Sequence, residues 1–133
     1  FVNLPVKDLQ RSIRFFCQLG LRFDPRFTDD KAACLVIDEH IYAMLITPPL
    51  FQTFVPRAVC DAHQANEVLI ALSRPNRAAV DQMVANAIAA GGSTFREPKD
   101  HGFMYEHGFR DPDGHLWEVL HLEEPATEAA GAA

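Results

Sequence analysis

The chain has 133 residues, of which 48% are hydrophobic, so it can bury one core and is too short for two ordinary domains. Its 18 acidic and 12 basic residues give a formal net charge of −6, which disfavours nucleic acid and anionic membranes as partners and favours a small molecule. Three widely spaced cysteines without a CxxC pair, and no signal-like or membrane-spanning run, predict a cytoplasmic protein without a disulfide framework.

The first third of the sequence predicts a strand, a helix and three further strands. Residues 1–6 are a short apolar segment, and an amphipathic helix follows between Asp8, a predicted N-cap, and Gly20, a predicted helix end. Apolar segments separated by short polar breaks then predict three strands with hairpin turns. These strands are predicted at 21–27, 32–37 and 42–46.

The second half repeats this order, with a strand, a helix that ends at Gly91–Gly92, and three strands. The predicted strands cover 67–73, 93–96, 103–109 and 116–122. Residues 38–45 align with residues 113–120, which places Ala43 over Glu118. We therefore predict two βαβββ modules in one α+β domain over residues 1–122.

The predicted domain has a first module at about 1–47, a connection at 48–66 and a second module at about 67–122. The connection is long for a structureless segment inside a compact domain, and it is interpreted as a linker packed on the sheet rims or as a lid over a ligand. Residues 123–133 are small and polar, which predicts a flexible tail.

Two segments resemble a known family. Residues 6–16 (VKDLQRSIRFF) are similar to the first strand-to-helix junction of the vicinal oxygen chelate superfamily, which includes glyoxalases, bleomycin resistance proteins and extradiol dioxygenases. Residues 109–119 (FRDPDGHLWEV) resemble its DPDG hairpin followed by the last strand and a terminal glutamate. The resemblance implies paired βαβββ modules whose eight strands curl into a mixed-sheet cup with the helices outside. It also implies a homodimer.

Metal-dependent members of that family place one His or carboxylate on the first and last strand of each module. By this resemblance Glu118 is the last ligand, and Glu67 is the one candidate near the first strand of the second module. The corresponding positions in the first module fall on Phe1, with its weakly ligating neighbour Asn3, and on Ala43. Half of the expected ligands are thus missing or ambiguous, which favours either no cofactor or a loosely held divalent metal.

Further polar candidates lie in the second module. Alternation along residues 103–109 puts Tyr105 and His107 on one face of their strand, where they are predicted to share the cup with Glu118 as acid–base groups. His101 and His115 flank turns and are interpreted as solvated turn residues.

Three functions stay open. The first is a binding protein that holds a small organic molecule in the cup, lined by Phe1, Asn3, Ala43, Leu69, Tyr105, His107 and Glu118. The second is a metal-dependent lyase, such as a lactoylglutathione lyase, or an isomerase or dioxygenase, in which Glu118 and Glu67 hold the ion. The third is a structural dimerisation module whose cup is filled by side chains.

Overall fold

The architecture comes from a computed structural model, which describes residues 1–123. The chain forms two βαβββ modules, so the predicted α+β class and the repeated element order are confirmed. The elements of the first module are β1 (Val2–Pro5), α1 (Leu9–Gln18), β2 (Arg22–Asp24), β3 (Ala32–Asp38) and β4 (Ile41–Ile46). The connection contains α2 (Pro48–Gln52), and the second module consists of β5 (Leu69–Ser73), α3 (Arg77–Ala89), β6 (Lys99–Asp100), β7 (Met104–Arg110) and β8 (Leu116–Leu122).

The eight strands form two separate four-stranded mixed sheets, in the orders β1-β4-β3-β2 and β5-β8-β7-β6. In each sheet the first strand of the module pairs in parallel with its last strand, and the other neighbours are antiparallel. Within residues 1–123 no hydrogen-bonded ladder joins β1 to β5, so the eight strands are divided into two sheets that are not closed on each other.

The boundaries of α1 follow from local chemistry. The Asp8 carboxylate accepts a hydrogen bond from the Arg11 backbone N–H at 3.1 Å, which satisfies one free donor of the first turn. Gly20 has a φ of 91°, in the left-handed region where a side chain is disfavoured. Both predicted ends of this helix are confirmed.

One predicted strand is displaced. Residues 93–96 form only an isolated bridge, between Ser93 and Arg110, and the edge strand β6 begins at Lys99. The Thr94 hydroxyl donates to the Gly108 carbonyl at 2.8 Å, so a side chain replaces the backbone ladder between this bridge and β6 along the edge of β7. The apolar composition of the segment predicted a strand, but the Phe95 ring packs against Gly108 and the regular ladder starts only at Lys99.

A single core joins both modules on the helix-covered faces of the sheets. The α1 side chains Phe15 and Phe16 contact Phe109 and Trp117 of the second sheet, with ring centroids 5.9 Å and 5.2 Å apart respectively. All four side chains are almost fully buried, and α3 adds Val80 and Met83 to the same cluster. Burial of these aromatic rings makes a large contribution to the stability of the folded chain. Within residues 1–123, no helix has the length and apolar character needed to cross a membrane.

Candidate functional site

The register of the strands shows which residues occupy the positions of the predicted site. In the first sheet Asn3 pairs with Met44, and in the second Ala71 pairs with Glu118. The two pairs are equivalent because each is at the same distance along the chain from an equivalent hydrogen bond. The Val6 backbone N–H donates to the Ile46 carbonyl in the first module, and the Arg74 backbone N–H donates to the Leu120 carbonyl in the second. Counted from the same hydrogen bonds, the predicted first-strand position Phe1 corresponds to Leu69. The four predicted ligand positions therefore carry two hydrocarbon side chains (Phe1 and Leu69), one thioether (Met44) and one carboxylate (Glu118).

This register corrects the prediction for Ala43. The sequence alignment of the two modules was shifted by one residue, so the counterpart of Glu118 is Met44 and that of Ala43 is Trp117. A shift by one residue exchanges the two faces of a strand. Ala43 accordingly points into the core beneath α1, where it is fully buried, and it cannot line a ligand site on the other face.

Glu118 lies on the helix-free face of the second sheet, the face opposite α3. Leu69, Leu116 and Leu120 share this face, and β7 contributes Glu106 and Gly108 to it. Trp117 and Val119 lie on the opposite face, in the core, as strand alternation predicted. Glu118 is thus a half-buried carboxylate on a largely apolar face, and it needs a partner there.

Arg96 is that partner. Its Nη2 lies 2.6 Å from Glu118 Oε2 and 2.9 Å from Glu106 Oε1, so one guanidinium nitrogen bridges two carboxylates. His101 Nε2 lies 3.4 Å from the other oxygen of Glu106. The Arg96 side chain lies beside the two carboxylates because its neighbour Phe95 packs over Gly108. A Cβ added at Gly108 would be only 2.8 Å from the Phe95 ring.

Tyr105 and His107 lie on the other face of the sheet, so the prediction that they share a site with Glu118 is wrong. Cross-strand pairing places His107 opposite Val119, on the side covered by α3. The Tyr105 hydroxyl donates to the α3 residue Asp81 at 2.6 Å. That hydrogen bond, with burial and the Asp81 charge, raises the pKa of Tyr105 to about 12. Burial lowers the pKa of His107.

The remaining predicted residues are dispersed. Phe1 stacks on Tyr42 at 4.8 Å, and Leu69 is exposed opposite Leu116. Glu67 is exposed and precedes β5, four residues before the pairing partner of Glu118, which is roughly 13 Å along an extended chain. The structure therefore does not bring Glu67 and Glu118 to one ion.

The four strand positions do not fit a divalent metal. A hard cation takes carboxylate, carbonyl or water oxygens, and a transition metal takes imidazole or thiolate. Phe1, Met44 and Leu69 offer none of these, and the Glu118 carboxylate is engaged by Arg96. Asn3, the neighbour of Phe1 on the first strand, offers one amide. Among residues 1–123, no group of three or more His, Cys, Asp and Glu side chains has the spacing of a metal site.

A cavity lies elsewhere, between β1 and the connection. Its volume is about 650 Å³, in the range typical of small-molecule sites. The predicted residues Asn3 and Glu67 line it, together with His115 and a wall contributed by the connection. That wall consists of Phe51, Val55, Pro56, Arg57, Ala58, Val59, Cys60, Ala62, Ala65 and Asn66.

The turn over residues 111–114 holds the two modules together beside this cavity. Asp113 accepts hydrogen bonds from the Lys7 backbone N–H at 2.8 Å and from the Ser12 hydroxyl at 3.2 Å, both in the first module. Asp111 accepts from Trp117 Nε1 at 3.0 Å, and burial raises its pKa. The turn is therefore an intermodule contact as well as a hairpin, which its sequence alone does not reveal.

His115 is buried and not a solvated turn residue, which corrects the sequence-based interpretation. Its backbone N–H donates to Asp111 Oδ1, and its Nε2 lies 2.7 Å from the carbonyl oxygen of Pro5. The partner lies 110 residues earlier in the chain, so no local pattern signals the contact. Arg96, Glu106 and His115 are the polar residues whose roles the sequence analysis missed.

Comparisons with known proteins agree with this architecture. A hypothetical protein from S. aureus is 29% identical with a TM-score of 0.79, and the match covers 90% of each chain. A glyoxalase-related enzyme from Fulvimarina pelagi is 21% identical with a TM-score of 0.75, over 91% of this chain and 86% of that one. The structure of a lactoylglutathione lyase from Agrobacterium tumefaciens is 17% identical with a TM-score of 0.67, over 90% of each chain.

No curated protein gives a significant sequence match. The family model of the Glyoxalase/Bleomycin resistance protein/Dioxygenase superfamily matches residues 1–119, nearly the whole of the described chain. Sequence motifs, the paired βαβββ modules and this match agree, and the chain belongs to that superfamily.

Proposed function

We propose that this chain is a binding member of the superfamily, which holds a small organic molecule and does not depend on a divalent ion held by its own side chains. The observation that carries the proposal is the Arg96–Glu118 ion pair, with 2.6 Å between Nη2 and Oε2. It gives the one remaining carboxylate of the four strand positions a protein cation as its counter-ion. The lyase named for one similar structure is not assigned to this chain.

The cavity beside β1 supports the binding role. Val2, Leu4, Val55, Val59 and Val68 give it apolar walls, and Asn3, Arg57, Asn66, Glu67 and His115 add polar groups. Apolar walls with a few polar groups are characteristic of sites for small organic ligands. We also propose a cytoplasmic location for this chain, since all three cysteines are free thiols.

Homodimerisation is part of the same proposal. The helix-free face of the second sheet exposes Leu69 and Leu122, and Phe103 beside it is exposed as well. Exposed apolar side chains on a sheet face favour association with a second copy. Analytical ultracentrifugation of the intact chain tests this part, and a monomer at micromolar concentration would contradict it.

The metal-independent role is tested by isothermal titration of metal-stripped protein with Mn(II), Ni(II), Zn(II) and Fe(II). We expect no stoichiometric binding in the intact protein. Stoichiometric binding that disappears in Glu118→Gln would contradict the proposal and support the metal-dependent enzyme instead.

The binding role is tested by screening a fragment library by protein-observed NMR. Hits are expected to shift the amide resonances of Asn3 and Val68, which line the cavity. Val68→Trp fills part of the cavity and should abolish these shifts. The matched control is Ile88→Trp on α3, since Ile88 is also partly exposed but lies outside the cavity. Equal binding in both variants would place the ligand elsewhere.

A further inference from the structure

His115 occupies an unusual position between two cavities. It lines the cavity of about 650 Å³ beside β1 and also a second cavity of about 540 Å³, which Lys7 and His63 help to form. The two cavities also share Pro5, Val59, Cys60 and Ala62. His115 itself is only 7% exposed, so its imidazole is a nearly buried polar group at the junction of the two cavities.

One nitrogen of this imidazole has a defined role in the fold. Nε2 lies 2.7 Å from the carbonyl oxygen of Pro5. A carbonyl oxygen can only accept a hydrogen bond, so the Nε2 of His115 carries the proton and donates. In the neutral ring Nδ1 is then an acceptor with a free lone pair.

The other nitrogen has no partner among the residues that the structure describes. Among residues 1–123, nothing donates a hydrogen bond to Nδ1 of His115, and this atom is not one of the buried polar atoms sealed from solvent. His107 provides the contrast, because its Nδ1 is both unpaired and sealed. Nδ1 of His115 is therefore open to solvent, and the residue that carries it lines both cavities.

The surroundings hold the ring in this orientation. The Asp111 carboxylate accepts the backbone N–H of His115 at 3.0 Å, which anchors the start of β8. Gly114, with a φ of 90°, lies against His63, and an added Cβ would be 2.8 Å from the His63 backbone nitrogen. The connection is thereby fixed against the turn. The acceptor is held in place before any ligand arrives, which lowers the entropic cost of binding.

We infer that Nδ1 of His115 is the hydrogen-bond acceptor that anchors the ligand of this cavity. The inference rests on the proposed binding function and gives the ligand a chemical class: a largely apolar molecule with an O–H or N–H group that donates to Nδ1. A buried acceptor left without a donor is costly, so the site discriminates against a ligand of the same shape without that group.

The test uses two side chains that mimic different halves of imidazole. His115→Gln places an amide N–H near the position of Nε2, so the donor to Pro5 is retained while the Nδ1 acceptor is removed. His115→Asn places a polar atom near Nδ1 and loses the bond to Pro5. His40→Gln is the matched control, because it makes the same change at an exposed histidine that lines neither cavity.

The probes are 2-naphthol, which has a donor, and 2-methoxynaphthalene, in which a methyl group replaces it. We expect 2-naphthol to bind the intact protein about tenfold more tightly than its methyl ether, as one net hydrogen bond implies. His115→Gln should remove this preference and leave binding of the ether unchanged. His40→Gln should keep the preference, and the 15N shift of His115 Nδ1 should change when 2-naphthol binds.

Three results would overturn the inference. The first is a proton on Nδ1 in the imidazole 15N spectrum of the free protein. The second is equal affinity for the two probes in the intact protein, or a preference that survives in His115→Gln; the cavity and the proposed function then stand without this anchor. The third is that neither probe shifts the resonances of residues around the cavity, in which case the proposed function fails together with the inference.

Discussion

Arg96 Nη2 lies 2.6 Å from Glu118 Oε2, and the same nitrogen lies 2.9 Å from Glu106 Oε1. The two carboxylates belong to neighbouring strands, and their side chains are only 19% and 11% exposed. Two partly buried carboxylates that lie close enough to share one guanidinium nitrogen repel each other unless a cation lies between them. Arg96 therefore stabilises the helix-free face of the second sheet through electrostatics as well as through packing.

Replacing Arg96 with Met is expected to lower the free energy of unfolding by about 2–4 kcal/mol, because both carboxylates lose their counter-ion. Urea unfolding measures the change. Arg14→Met is the control, since Arg14 is exposed on α1, and its effect should stay within about 0.5 kcal/mol. Adding Glu106→Gln and Glu118→Gln to Arg96→Met should recover most of the loss. Equal effects of Arg96→Met and Arg14→Met would contradict the role of this ion pair.

The sequence predicted the modules well because their signals are local. Helix α1 begins directly after its N-cap Asp8 and ends before Gly20, and both boundaries depend on a few neighbouring residues. The repeated order of elements likewise needs no long-range contact. The sequence could not give the register between modules. An alignment of residues 38–45 with 113–120 places Ala43 over Glu118, whereas strand pairing shows that Met44 corresponds to Glu118.

The site was less predictable because its contacts are non-local. Strand alternation correctly predicts that Glu118 and Trp117 lie on opposite faces of β8. It does not predict the partner of Glu118, because Arg96 lies in a segment that the sequence predicts as a strand. The position of His115 depends on Pro5, 110 residues away. Tyr105 and His107 illustrate a third limit: alternation gives the residues that share a face, but it does not tell which face carries the helix.

Asp113 is expected to contribute more to stability than an ordinary turn aspartate, because its carboxylate accepts hydrogen bonds from Lys7, Arg11 and Ser12 of the first module. Asp113→Ala should lower the free energy of unfolding by about 2–3 kcal/mol, since several donors lose a charged acceptor. Thermal and urea unfolding measure the loss.

The control for Asp113 is Asp38→Ala in the hairpin turn of the first module. Within the described part of the chain, this exposed carboxylate accepts only the neighbouring Glu39 N–H. Ser12→Ala tests one of the contacts alone and should cost about 1 kcal/mol. If Asp38→Ala were as destabilising as Asp113→Ala, the stabilising effect would be a property of the turns and not of the intermodule contact.

Tyr105 is expected to ionise at about pH 12, because its hydroxyl donates to Asp81 and its pKa is raised from the ordinary value of 10.0. In the unfolded chain the phenol loses its proton near pH 10, so stability falls as the pH rises from about 10 towards 12. Ultraviolet absorbance of the phenolate measures the titration. Asp81→Ala should move it to lower pH, and Tyr105→Phe should remove this contribution to the pH dependence of stability. A titration unaffected by Asp81→Ala would contradict the assignment.

His107 is expected to destabilise the fold in acid. Burial lowers its pKa and the nearby Arg96 charge acts in the same direction, while Asp81 and Glu97 oppose them. The folded protein therefore binds the proton less readily than the unfolded chain, whose histidines titrate near pH 6.5. The stability associated with neutral His107 is fully present above about pH 6.5 and is lost as the pH falls through the lower, folded-state pKa.

Replacing His107 with Leu tests this directly, because its Nδ1 is buried without a hydrogen-bond partner among residues 1–123. Leucine has a volume similar to that of histidine and removes the unsatisfied polar atom. The substitution should therefore leave the free energy of unfolding unchanged or raise it by up to about 1 kcal/mol at pH 7, and it should flatten the loss of stability below pH 6.5. Urea unfolding at several pH values measures both effects, with the exposed His40→Leu as the control. A large destabilisation by His107→Leu at pH 7 would instead reveal that the imidazole has a partner, such as a bound water, that holds this part of β7 against α3.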